Sequence, residues 1–135
     1  MPYCTLTDLQ ARFGEDELLD LAAEDDGVTI AQDIVDRAIE DADGEIDGYV
    51  AAAGYPVPLA TVPRIVTAYA CDIARYRLYD DRATEQVTKR YDDAIKFLRA
   101  VAKGDVKLGI RAPGEGSAGG VQFETGRNVF DGGGF

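Results

Sequence analysis

Residues 30–53 read IAQDIVDRAIEDADGEIDGYVAAA. Within this run Ile34, Ala38, Ala42, Ile46, Tyr49 and Ala53 recur at three- and four-residue spacing, the period of one helical face. Asp33, Asp36, Glu40, Asp43 and Asp47 fill the opposite side. The expected element is one long amphipathic helix with an acidic outer face, about 36 Å long at 1.5 Å per residue. Gly44 and Gly48 weaken it by about 1 kcal/mol each relative to alanine. Their small size leaves room for another backbone to come close.

Working back from that helix, the chain reads as two short helices. Thr5 or Thr7 caps the first, which buries Leu6, Leu9 and Phe13 and stops at Gly14. Residues 15–23 form the second, with Leu18, Leu19 and Ala22 inward, and an acidic turn from Glu24 to Gly27 follows. Working forward, GYPVPLATVP (54–63) is a stiff loop, because each proline lacks a donor and keeps its predecessor out of helical space. Thr61 is then placed to cap a helix with Pro63 in its first turn. That helix runs to Tyr79 and buries Ile65, Tyr69, Ile73 and Tyr76. Asp80 and Asp81 break it. Thr84 caps the last helix, whose stripe is Val87, Tyr91, Ala94, Leu98 and Val101, and Gly104 ends it.

Glycine density changes at that point. Residues 1–104 hold 6 glycines and residues 105–135 hold 9. Val106, Leu108 and Ile110 alternate in the manner of one short strand. The remainder is too rich in glycine for a helix and too poor in apolar residues for a core of its own. The expected organisation is an all-α bundle of four to five helices over 1–104, with an extended Gly-rich arm over 105–135. Val121, Phe123, Val129, Phe130 and Phe135 are apolar anchors spaced along that arm.

The chain has 135 residues, a length that suits one domain, and a net charge of −11. Residues 1–50 carry 15 acids against 2 bases, whereas residues 51–104 carry 9 bases against 6 acids. Overall acidity argues against a general nucleic-acid binder. An acidic half beside a mildly basic half can pack head-to-side with copies of itself, and acids that simply solvate helix faces explain the same pattern equally well. There is no histidine, which removes Ser-His-Asp and Cys-His catalysis and the commonest metal ligand. Cys4 and Cys71 are too few for a disulfide framework or a structural zinc site, and read as two reduced thiols. No basic-then-apolar segment opens the chain, and the least charged stretch, 49–63, is broken by Gly54, Pro56, Pro58 and Pro63. Neither an export signal nor a membrane span is expected.

Three patterns have a functional look and a plainer explanation. Asp41–Asp47 has the acid spacing of a calcium loop, but Ile46 stands where that loop needs glycine. GEGSAG (114–119) matches GxGxxG with no helix after it to hold a pyrophosphate. Tyr69, Tyr76, Tyr79 and Tyr91, with Arg75, Arg77, Arg82, Lys89 and Arg90 nearby, could stack bases. Core packing with hydroxyls at the rim explains the same spacing. No catalytic residue, metal or cofactor is assigned.

Several segments together resemble one phage family. They are YCTLTDLQARFG (3–14), IEDADGEIDGY (39–49), YPVPL (55–59), DIARYRLY (72–79) and YDDAIKFL (91–98). In this order they are similar to the Mu-type head–tail connector, or neck adaptor, proteins. One departure is Gly54, where the family pattern has an arginine before the tyrosine.

The resemblance implies a structural protein without an active site. It implies a subunit of a ring, usually twelvefold, seated beneath the portal, passing DNA without binding it specifically. Its partners would be copies of itself, the portal and the next neck or tail-completion protein. Its place would be the virion neck, and the host cytoplasm during assembly. On that view Val121, Phe123, Val129, Phe130 and Phe135 dock on the portal. Ile46, Tyr49, Arg75, Tyr76 and Tyr79 meet neighbouring subunits, and Asp33, Asp36 and Glu40 line the channel. The rival reading is an acidic DNA mimic or small regulatory inhibitor, which uses residues 1–50 as a phosphate decoy.

Overall fold

The computed structural model describes residues 2–110. Five helices account for most of them: α1 (Leu6–Phe13), α2 (Glu15–Leu21), α3 (Gln32–Ala52), α4 (Arg64–Tyr79) and α5 (Glu85–Lys103), with a 3-10 turn at Asp80–Arg82. The all-α expectation holds. Helices α3, α4 and α5 pack against one another as a three-helix core, and α1 and α2 pack together beside it, with α1 against α4.

Local signals set most boundaries. The Thr5 hydroxyl accepts from the Asp8 N–H while the Asp8 carboxylate accepts from the Thr5 N–H, a reciprocal capping box that starts α1. The Thr84 hydroxyl accepts from the Val87 N–H to start α5. Gly104, at φ 86°, turns left-handed to end α5, a conformation that suits glycine. Two expected starts shift. Helix α3 begins at Gln32 rather than 30, and neither it nor α4 has a side-chain cap; Pro63, not Thr61, precedes α4.

The buried rows of α3 and α4 also differ from the expected stripes. In α3 the core row is Val35, Ala38, Ile39, Ala42, Ile46 and Val50, while Ile34 is 39 % exposed and Tyr49 half-buried. In α4 it is Val66, Ala70, Cys71, Ile73, Ala74 and Leu78, while Ile65 is 42 % exposed and Tyr69 and Tyr76 are half-buried. Each row begins one residue later than the pattern suggested. Ile34-Val35 and Ile65-Val66 are adjacent apolar pairs, so spacing alone fits either phase. Helix α3 also packs against two other helices and α4 against three, which widens the face each must bury.

The expected strand at 105–110 does not form. After Gly104 the Asp105 and Val106 N–H groups turn back to the Ala100 carbonyl, and Leu108 inserts into the core. With no strand among the described residues to pair with, the segment turns back on α5 and donates from Leu108 to a tyrosine hydroxyl. The only β contact among the described residues is an isolated bridge between Ala23 and Ile30, which closes the acidic turn. There the Asp26 carboxylate accepts from Thr29 Oγ1, at 2.6 Å, and from the Val28 and Thr29 N–H groups, at 2.9 Å each. The Thr29 hydroxyl bond first, and then the two N–H bonds, hold its pKa below the usual carboxylate value.

Candidate functional site

The surface of α3 divides into an outward acidic row and an inward-turning acidic pair. Asp33, Asp36 and Glu40 are exposed. Asp43 and Asp47, expected on the same solvated face, are half-buried and used internally. The Tyr3 N–H donates to Asp43 Oδ1 at 3.0 Å, the Tyr3 hydroxyl donates to Asp47 Oδ1, and the Leu59 N–H donates to the Tyr3 hydroxyl at 2.8 Å. Tyr3 thereby ties segment 2–5, helix α3 and the proline-rich loop at one point. Burial first, and the bond to Asp47 second, push the Tyr3 hydroxyl up to about 12. Burial also raises the Asp43 carboxyl. Around this node lies a concavity of about 410 Å³ whose lining includes Tyr3, Asp36, Glu40, Asp43, Asp47 and Pro58.

A second tyrosine closes the same loop from the other side. The Leu108 N–H donates to the Tyr55 hydroxyl at 3.2 Å, so the segment after α5 is held on residues 54–63. The loop enters through Gly54 at φ +96°, a conformation that side-chain-bearing residues avoid. Glycine in place of the family pattern's arginine therefore suits the backbone.

Of the bases that the sequence pattern placed near the tyrosines, Arg75 and Arg77 lie on α4 and Lys89 and Arg90 on α5, and each of these four has a carboxylate partner. Arg75 holds Glu17 with two hydrogen bonds, Nε to Oε2 at 2.7 Å and Nη2 to Oε1 at 2.8 Å, and its guanidinium lies 4.2 Å from the Phe13 ring centre. This docks α1 and α2 on α4. The bond to Glu17 raises the Arg75 pKa further. Arg77 donates to Glu45 Oε1 at 3.0 Å, and the Tyr91 hydroxyl donates to Glu45 Oε2 at 2.8 Å. Burial, and then the bond to Glu45, hold the Tyr91 hydroxyl up near about 12. Tyr76 and Tyr91 stack with ring centres 4.0 Å apart, and Tyr69 lies 4.8 Å from Phe97. Asp72 is raised by burial despite Arg90 at 3.8 Å. A base-stacking platform would need free ring faces and free cations, and here Tyr76 and Tyr91 cover each other.

Of the expected subunit contacts, Ile46 needs correction. It is 0 % exposed, packed in the bundle core among α3, α4 and α5, and offers no surface to a neighbour. Tyr49, Arg75, Tyr76 and Tyr79 remain partly exposed. Tyr49 borders a groove of about 490 Å³ with Tyr91, Ile95, Lys96 and Arg99. The expected portal-docking residues Val121, Phe123, Val129, Phe130 and Phe135 lie outside the described residues, as does the 114–119 glycine pattern. The Asp41–Asp47 pattern lies inside α3, with Asp43, Glu45 and Asp47 bonded to other elements. Among the described residues no group of acids and cysteines is arranged to hold a metal, and no helix is long and apolar enough to cross a membrane.

Two contacts had no signal in the sequence. Tyr3 meets Asp47 across 44 positions, and Cys4 meets Cys71 across 67, with sulfurs 2.9 Å apart and both side chains fully buried. The hydrogen bond to Cys71, then burial, push the Cys4 thiol far above its ordinary value.

With this geometry in hand, residues 3–124 match the family described as Bacteriophage Mu, Gp36. The Mu-like prophage FluMu protein gp36 of Haemophilus influenzae is 45 % identical over 76 residues, which cover 56 % of this chain and 53 % of that protein's length. The phage Mu protein called Gene product J is 33 % identical over 113 residues, 83 % of this chain and 79 % of that protein.

Proposed function

The chain belongs to the Bacteriophage Mu Gp36 family of phage proteins, and from that premise we propose that it is a structural subunit of the particle's neck. In this reading copies of the bundle close into a ring beneath the portal, joining head to tail and letting DNA pass. It acts by assembly, with no catalytic step. The observation that carries the reading is the division of exposed charge. Asp33, Asp36 and Glu40 stand exposed on α3, and Lys96, Arg99 and Lys103 stand exposed on α5. One patch of each sign on different helices suits a head-to-side contact, in which the acid row of one copy meets the basic helix of the next. Contacts of this kind close into a ring when the rotation between successive copies closes. Any acid left facing the lumen would repel DNA phosphates and keep the duplex sliding.

Light scattering of the purified chain, alone and mixed with its candidate portal protein, tests the proposal. The expected result is a high-order complex with the portal present. Deleting residues 111–135 should preserve the helical circular-dichroism signal and abolish portal docking. A monomer or dimer that ignores the portal would overturn the connector reading in favour of the acidic mimic.

A further inference from the structure

Cys4 and Cys71 are the chain's two cysteines. Their side chains are fully buried against each other, one thiol donating to the other at 2.9 Å. Cys71 lies in the interior of α4, and Cys4 lies on segment 2–5, ahead of α1 and outside any helix. The polar ties of that segment run to α3 and to the 54–63 loop, through Tyr3. A covalent link from Cys4 would add α4 to the set. Sulfurs this close need to approach by only about 1 Å to bond.

We propose that Cys4 and Cys71 are a disulfide-forming pair, two thiols while the protein folds in a reducing compartment and one disulfide after it meets an oxidant. The oxidant is a small-molecule disulfide such as oxidised glutathione. Opening of segment 2–5 exposes Cys4, which gives up its proton to water and attacks one sulfur of the oxidant. A mixed disulfide forms and the first glutathione thiolate leaves. Cys71 then loses its proton, and its sulfur attacks the Cys4 sulfur as the segment recloses. The second glutathione thiolate leaves and the Cys4–Cys71 bond remains. Two protein thiols are oxidised, one glutathione disulfide is reduced to two thiols, and the released protons end on those thiols. The sealed core keeps Cys4 protonated and unreactive, so oxidation is slow and confined to open states.

Only the timing in the infection cycle rests on the neck-subunit reading. A particle assembled in a reducing cytoplasm and released into oxidising surroundings would be locked after assembly. The bond itself does not depend on that role.

The test uses the full purified chain, reduced and then incubated with oxidised glutathione, quenched by unfolding in excess iodoacetamide at mildly alkaline pH, and weighed intact. The expected product is a single chain lighter by two hydrogens, with no glutathione attached and no alkylation; the untreated control is alkylated twice. Cys4→Ser and Cys71→Ser should each leave one thiol, free or carrying glutathione. The oxidised wild type should unfold at higher urea than the reduced form and return to the lower midpoint with dithiothreitol. Closing so long a loop raises the folding constant by up to about a thousandfold. Retention of two alkylatable thiols, glutathione adducts without ring closure, or linked chains would overturn the proposal. Each of those results leaves the light-scattering test of ring assembly untouched, and failure of that assembly would leave the disulfide intact.

Discussion

Helices α3 and α5 are similar in length and differ in how they are held. Helix α5 begins at a threonine hydroxyl cap, ends at a left-handed glycine and buries Val87, Ala94, Ile95, Leu98 and Val101 on one side. Helix α3 has no side-chain cap and carries two glycines, although both helices pack against α4 and against each other. Its stability comes from its surroundings, including two acids bonded to Tyr3 and a third bonded to Arg77 and Tyr91. The lesson is that a helix with strong local signals can be read from its own residues. A helix without them takes its orientation from its neighbours.

The sharpest way to break the comparison is at the phase of α3. Ile46→Ala should destabilise the bundle by about 2–5 kcal/mol in urea unfolding, because it empties a fully buried site. Ile34→Ala should change stability by less than about 0.5 kcal/mol. Equal effects would mean that the buried row runs through Ile34 after all.

The inward acids give the next largest effect. Tyr3→Phe keeps the ring and removes the hydroxyl, leaving the Leu59 N–H without its partner and Asp47 without its donor. A loss of about 1–3 kcal/mol is expected. The same hydroxyl sets an alkaline dependence. Tyr3 and Tyr91 are both raised from 10.0 to about 12 in the folded chain. Between those values the unfolded chain has released protons that the folded chain keeps. Their contribution is therefore fully present below pH 10 and is lost as pH rises through about 12. Tyr3→Phe and Tyr91→Phe should each flatten that decline in urea midpoints measured from pH 9 to 12. An unchanged slope in both variants would show that other groups produce it.

Smaller effects separate the two helices by their ends and glycines. Thr84→Ala should cost about 1 kcal/mol, since the Val87 N–H loses its acceptor. Gly48→Ala should gain about 0.5–1 kcal/mol in the isolated chain, because a Cβ there meets nothing within 4 Å and the backbone is helical. If Gly48→Ala raises the urea midpoint yet weakens assembly with the portal in light scattering, the glycine makes room for a neighbouring copy. Unaltered assembly would leave it as a weak point of the helix and nothing more.

The sequence by itself determined the class of the fold, the number of helices to within one, the start of α1 to one of two threonines, both ends of α5 and the acidity of the exposed α3 row. These follow from caps, breakers and periodicity, which act over a few residues and are written in the local chain. Tertiary structure decided the rest. Adjacent apolar pairs at 34–35 and 65–66 fit two phases, and only the packing of α3, α4 and α5 chose between them. Ile46 looked available for a neighbour because its burial depends on helices that lie far along the chain. Asp43 and Asp47 looked solvated until Tyr3 supplied an N–H and a hydroxyl, and Leu108 looked like a strand residue until Tyr55 supplied an acceptor. The Cys4–Cys71 contact spans 67 positions, and no spacing rule reaches that far. Contacts between distant residues arise where separate elements meet, and the chain records the elements more plainly than their meeting.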